Sequence, residues 1–307
     1  MLSKEEFRRV QEERIAVYSL VARLFERPLE QCDIDTLAQA NLAELPCDDA
    51  AMRHGLEVMG RFLRKRNSGT REALNRDYTS AFYGIQDIGG RYALPYESAF
   101  GDSSQLLMGA ARRKVFNVYK KQALRLREGV DIPEDHLSYM CEFMGAMARK
   151  AADAHERGDS GGVKESLLLQ RAFLRAHILS WYEELELLAG QLVEARFYHG
   201  VLEFAGAFFK LDDAALTVQL SDMGAARARF DLAWWEAPRS SDERHAYRPN
   251  LDKALCIRKK GGSCDKCVAA CPVHIDPVLD RDGATRIDCT KCGKCVEACP
   301  SAALEIK

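Results

Sequence analysis

Eight of the eleven cysteines in this 307-residue chain fall between Cys256 and Cys299, and their spacing restricts what that stretch can fold around. Cys289, Cys292, Cys295 and Cys299, followed by Pro300, spell C-x2-C-x2-C-x3-C-P. Three thiolates at i, i+3 and i+6 on one tight loop can hold three corners of a four-iron cubane, while the fourth, ahead of a proline, turns toward another cluster. A second set must then exist. Cys256, Cys264, Cys267 and Cys271, followed by Pro272, supply it with the same ending, but seven residues, Ile257 to Ser263, separate its first two cysteines. Gly261 and Gly262 let that longer loop turn back, so that Cys256 still reaches a cluster. Crossed pairing gives Cys256, Cys264, Cys267 and Cys299 to one [4Fe-4S] cluster and Cys271, Cys289, Cys292 and Cys295 to the other.

The competing chemistry is two tetrahedral zinc sites, since C-x2-C pairs suit zinc as well. Zinc modules set two pairs far apart, however, whereas three cysteines here follow one another at intervals of three. The short segments Thr285 to Asp288 and Ala303 to Ile306 fit the small strands that flank such loops. From about Leu251 to Lys307 the chain resembles a two-cluster bacterial ferredoxin domain, a resemblance that implies a small α+β ferredoxin-like fold. Cys32, Cys47 and Cys141 stand alone in the long remainder and read as small buried hydrophobes.

Composition narrows the setting. Lys plus Arg number 44 against 46 for Asp plus Glu, so no global field draws nucleic acid or anionic lipid. Met1 to Leu24 mixes charged and apolar residues at helical spacing and has neither a signal core nor a cleavage site. No apolar run approaches the roughly 20 residues that span a bilayer. A cytoplasmic protein with no membrane insertion is expected, and cytosolic thiols stay reduced, which favours metal over disulfides.

Everything before the cysteines reads as helix. Ser3 with Glu6 forms a capping box ahead of a periodic stretch that ends before Pro28. Further periodic stretches run from about Asp49 to Lys65, Thr70 to Phe82, Ser103 to Arg127, Ile132 to Glu156, Gly162 to Leu188, Glu194 to Phe209 and Ala214 to Trp234. The expected organisation is an all-α domain over 1–235, a linker over 236–250 carrying Pro238, Pro249 and a charged run, and the iron–sulfur domain over 251–307.

Two places in the helical part carry unusual residue sets. Asp77-Tyr78 and Phe82-Tyr83-Gly84 lead through a glycine-bearing loop to Leu94-Pro95-Tyr96-Glu97-Ser98. Ile132-Pro133-Glu134-Asp135-His136-Leu137 follows, and Phe173 to Trp181 comes later. With their order and spacing, these motifs make most of Met1 to Trp235 similar to the TorD-like family of redox-enzyme maturation chaperones. The resemblance implies a chaperone that binds the twin-arginine leader or the apo-form of a molybdenum- or tungsten-cofactor oxidoreductase. Two guanidinium groups followed by an apolar stretch call for carboxylates beside an apolar groove. Glu97, Glu134 and Asp135 are the candidate charges, Phe82, Tyr83, Pro95 and Tyr96 the candidate apolar lining, and Ser98 and His136 complete the set. The loop before Glu97 would have to meet the helix starting at Ile132.

The same residues also have a purely structural reading. Asp131 and Glu134 are spaced as N-cap and N3 of a capping box with Pro133 in the first turn, and Asp135 would then only favour the helix dipole. His136 is either an ordinary first-turn residue or an imidazole titrating near its usual value. Trp181, Trp234 and Trp235 read as core or contact residues, and His177 and His199 as packing histidines. No nucleotide-binding glycine loop, nucleophile elbow or metal-hydrolase helix is found, so a non-enzyme is expected. Two functions remain: a maturation chaperone whose iron–sulfur module senses redox state, exchanges electrons or docks, and a ferredoxin-type electron carrier that its helical part targets to a partner.

Overall fold

The computed structural model describes residues 3–84, 90–100, 110–126, 132–228, 230–237, 249–271, 276, 278 and 294–306. They divide into two units, residues 1–112 with 133–232, and residues 113–132 with 233–307. Thr285 to Asp288, most of the expected linker and the start of the stretch expected from Ser103 lie outside the described residues.

The first unit is built from α1 (Lys4–Glu26), α2 (Gln31–Gln39), α3 (Ala50–Arg64), α4 (Thr70–Phe82), the start of α5 (Ala110–Lys121), α6 (Leu137–Glu156), α7 (Ser160–Phe173), α8 (Leu179–Leu192) and α9 (Arg196–Asp222). Helix α1 starts as its sequence dictates. The Ser3 hydroxyl accepts the Glu6 N–H while the Glu6 carboxylate accepts the Ser3 N–H at 2.8 Å. Helix α1 lies along α6 and α3 along α9, and α7 and α8 close the bundle against α9. Tyr18, Phe25, Tyr78, Phe173, Phe197, Tyr198 and Phe209 are almost completely withdrawn from water at its centre. At the α3–α9 crossing, a Cβ on Gly55 would stand 2.7 Å from the Gly200 carbonyl oxygen, so glycine is what permits the approach.

Two helical expectations change, and one helix is added. The sequence suggests a break between Phe209 and Ala214, yet α9 runs unbroken through Asp212. That aspartate is buried because Arg14 grips it, with Nη2 donating to Oδ2 at 2.9 Å, and Tyr18 donates to the same oxygen at 2.7 Å. A buried charge that is paired and fully bonded no longer competes with the helix. The stretch expected as one helix from Gly162 to Leu188 is interrupted by a π-turn, Leu174–Ile178. Helix α2 has too short a periodic run to stand out in the sequence. Of the isolated cysteines only Cys141 is buried; Cys32 is exposed and Cys47 partly so.

In the second unit, Lys121 donates to the Ala237 carbonyl at 3.0 Å and Asn117 to the Glu236 carbonyl at 2.8 Å, capping the end of α10 (Leu232–Glu236). The Lys121 ammonium also lies 4.1 Å from the Trp234 ring centre, which leaves that indole largely exposed rather than in a core. Strand β1 (Pro249–Leu251) pairs antiparallel with β2 (Leu304–Ile306), Leu251 opposite Leu304. Between them come the one-turn helices Lys266–Ala269 and Lys294–Glu297. Among the described residues no helix is long and apolar enough to cross a membrane.

Candidate functional site

In the helical unit, the segment 95–98 and the segment 134–137 are hydrogen-bonded to each other. Tyr96 and His136 form an antiparallel bridge. Glu97 donates its N–H to the Asp135 carbonyl at 3.0 Å and Leu137 donates to the Pro95 carbonyl at 2.8 Å. The Asp135 carboxylate accepts the Ser98 N–H at 2.9 Å, and the Tyr96 and His136 rings meet edge to face at 4.7 Å. This pairing decides where α6 begins. The Asp135 carbonyl and the Leu137 N–H, which a longer helix would use internally, are bonded to the loop, and α6 starts at Leu137 and not at Ile132. Its cap is His136, whose Nδ1 accepts the Ser138 N–H at 3.2 Å, in place of the expected Asp131 and Glu134 box. Asp131 lies outside the described residues.

The candidate carboxylates all have internal partners. Glu134 accepts from Arg112 Nε at 2.7 Å, and Glu97 is bonded to His177 Nδ1 at 2.8 Å. Asp135 is fully buried, and burial raises its carboxyl above the ordinary range against the opposing pull of Ser98 and Arg112. Burial also pushes the His136 imidazole down to about 3, so it is a neutral cap and does not titrate near its usual value. Tyr96 is pushed up to about 12, by burial first and then by Asp135.

Sequence reasoning missed Arg112 as a partner and gave His177 only a packing role. Nothing local announces the His177–Glu97 contact, which joins residues 80 positions apart. His177 sits in the π-turn, and it carries Phe173 against its ring at 4.8 Å. One turn on, Trp181 stacks on Phe100 at 5.2 Å. Of the aromatic candidates, Phe82 is buried against Tyr78, while Tyr83 is 66% exposed at the end of α4, beside Gly84 with φ +94°. Pro95 is buried, so exposed Tyr83 and half-buried Tyr96 are the apolar candidates that face outward to any degree.

In the second unit, Cys256, Cys264, Cys267 and Cys299 line one small space together with Leu251, Val278, Ala303 and Leu304. The insertion after Cys256 is folded back by its glycines. A single 3₁₀ turn, Arg258–Lys260, ends on Gly261 at φ +91°, and Gly262 returns its N–H to the Ile257 carbonyl at 3.0 Å. No three acidic, histidine or cysteine side chains among the described residues converge as they would around one ion, although four thiols share this space. In a cubane each thiolate takes its own iron, and four thiols around one space fit that donor set. Burial raises the Cys299 thiol, but the N–H groups of Ser301, Ala303 and Leu304 and the Ser301 hydroxyl outweigh it and hold the thiol below its usual value. Such bonds to sulfur favour the thiolate a metal requires. Cys271 is partly buried and Cys295 is buried beside Cys267 and Leu304. Cys289 and Cys292 lie outside the described residues.

Comparison with known proteins matches both halves. Residues 45–186 match the family model of the nitrate reductase delta subunit, and residues 222–306 match that of the 4Fe-4S dicluster domain. The helical part is similar to the TorD-like chaperone family. The C-terminal part is a 4Fe-4S dicluster domain. The chaperone protein TorD of Vibrio vulnificus is 25% identical over 215 residues, covering 68% of this chain and 96% of its own length. That of Vibrio parahaemolyticus is 25% identical over 219 residues, covering 69% and 98%, and that of Vibrio cholerae 24% over 219 residues, covering 69% and 96%. About two thirds of this chain thus covers these relatives nearly end to end.

Proposed function

We propose that this protein is a cytoplasmic maturation chaperone for a molybdenum- or tungsten-cofactor oxidoreductase, a binding protein rather than an enzyme. The observation that carries the reading is the pairing of Tyr96 with His136, which joins the two sequence segments that a leader site would need. The TorD-like relatives, named chaperones, support it. Tyr83 and Tyr96 take the apolar stretch of a twin-arginine leader, with Phe82 and Pro95 behind them and Ser98 and His136 holding the loop. Glu97, Glu134 and Asp135 are committed internally in the conformation described, so a leader arginine competes with existing partners. It replaces His177 at Glu97 or Arg112 at Glu134, and at Glu134 one charge-assisted bond is exchanged for another.

The iron–sulfur domain, read as residues 251–307 with a small α+β ferredoxin-like fold after a linker at 236–250, holds two [4Fe-4S] clusters. Cys256, Cys264, Cys267 and Cys299 bind one, and Cys271, Cys289, Cys292 and Cys295 the other. When bound, the clusters supply one-electron redox chemistry. The chain's own contribution is to exclude water with Leu251, Val278, Ala303 and Leu304 and to aim N–H groups at Cys299.

A pull-down with an immobilised twin-arginine leader, followed by the apo-enzyme client, tests the reading. Retention of the full chain, and of residues 1–250 alone, supports the chaperone. Reduction of a partner protein with no leader retention would establish the electron-carrier alternative instead.

A further inference from the structure

The seven-residue insertion between Cys256 and Cys264 has a composition that its role as a loop closure does not require. Two glycines suffice to turn the chain back, yet Leu251 to Ser263 also carries Lys253, Arg258, Lys259 and Lys260 against a single Asp252. Arg258 is held in place by Asp276 at 2.7 Å and steadies the base of the loop. Lys253, Lys259 and Lys260 are exposed and make no ion pair among the described residues. Beside them Leu255 and Ile257 are 45% and 38% exposed, although each is a direct chain neighbour of buried Cys256. The loop is fixed as well as exposed: Cys256 donates to the Asp252 carbonyl at 3.1 Å, and Lys260 to the Cys256 carbonyl at 3.2 Å. A rigid face with two apolar side chains and a cationic collar is therefore attached, one residue away, to a thiolate of the four-cysteine space.

We infer that this insertion is the docking face for an acidic one-electron carrier protein, which meets the domain at Leu255 and Ile257 and is oriented by Lys253, Lys259 and Lys260. Charge complementarity selects the partner. A cluster with four thiolates adds negative charge directly behind the loop, so an acidic partner would be repelled there without cationic side chains in front. Small apolar contact with a charged rim is the character of brief electron-transfer encounters, where steering sets the rate and little area is buried. In the transfer itself one electron leaves the carrier and enters the domain, with no bond made and no proton moved. The inference rests on Cys256, Cys264, Cys267 and Cys299 being ligands of one cluster, and iron and sulfide assays on the same samples test that reading separately.

The experiment uses the cluster-loaded full chain, oxidised acidic flavodoxin as probe, and basic cytochrome c as counter-probe, with binding read by calorimetry. The flavodoxin should bind at least about tenfold tighter than cytochrome c at low salt and weaken about tenfold or more on going to 200 mM NaCl. Lys259→Glu with Lys260→Glu should abolish that preference at unchanged iron content. If that pair disturbs the clusters, Lys259→Gln with Lys260→Gln gives the same reading at half the charge change. Leu255→Ser with Ile257→Ser should weaken flavodoxin severalfold and leave the salt dependence as it was. Equal affinity for the two carriers, or flavodoxin binding that ignores both lysine pairs in iron-replete protein, overturns the inference.

Discussion

The Asp135 carboxylate, fully buried, accepts the backbone N–H of Ser98 at 2.9 Å across 37 residues of sequence. That bond fastens the loop carrying Pro95, Tyr96 and Glu97 to the entrance of α6, and the backbone pairing around it makes the two segments one object. Substituting Asp135→Ala leaves the amide without its acceptor and should cost about 1 to 3 kcal/mol, read as a fall in thermal midpoint. Asp135→Asn keeps an acceptor oxygen and should cost clearly less.

His136 makes the helical unit acid-sensitive. Its folded value of about 3 lies below the usual imidazole value near 6.5, so the unfolded chain binds the proton first and stability falls as pH drops through that window. The raised carboxyl of Asp135 acts in the opposite sense at the acid end and tempers the loss. His136→Asn retains a capping side chain without the titration. Its urea midpoint should vary less between about pH 6.5 and pH 4 than that of the parent; identical pH profiles would contradict the assignment.

Gly200 should tolerate no side chain. An alanine Cβ there would lie 2.8 Å from the Gly55 carbonyl oxygen, 3.0 Å from Met59 Cγ and 3.1 Å from Val58 Cβ. Overpacking costs about 1 to 3 kcal/mol, more than the at most ~1 kcal/mol alanine gains in helix propensity. Gly200→Ala should therefore lower the thermal midpoint by several degrees.

The proposed iron–sulfur ligands should divide into two groups by substitution. Anaerobically loaded protein should contain about eight iron and eight sulfide per chain, two four-iron clusters. Cys256→Ala should reduce mainly one cluster and Cys289→Ala mainly the other, as followed by iron content and electron paramagnetic resonance after reduction. Stoichiometric zinc, or no loss from either substitution, would contradict the ligand sets.

What was legible in the sequence was local. Ser3 and Glu6 announce the start of α1, Pro28 follows its end, and α4 spans Thr70–Phe82 as its periodicity predicts. The space shared by Cys256, Cys264, Cys267 and Cys299 follows from motif arithmetic, because ligand spacing is written along the chain. What was not legible depends on distant partners. Arg14 makes Asp212 a helix-interior residue, the loop at Pro95 delays α6 to Leu137, and His177 and Arg112 reach carboxylates far away in sequence. A helical pattern carries no record of which remote cation will satisfy a carboxylate, so residues that read as a free acidic set are found paired within the fold.

In the proposed function this chain recognises a twin-arginine leader through the joined segments at Tyr96 and His136. Calorimetry of the full chain with a leader peptide and its twin-lysine counterpart, repeated on Glu97→Gln and Glu134→Gln, reads that recognition. Saturable binding is expected that the twin-lysine peptide weakens, with a loss of roughly tenfold for each carboxylate variant, the size of one charge-assisted bond. Equal affinity for the two peptides, or carboxylate variants that bind as the parent does, would contradict it.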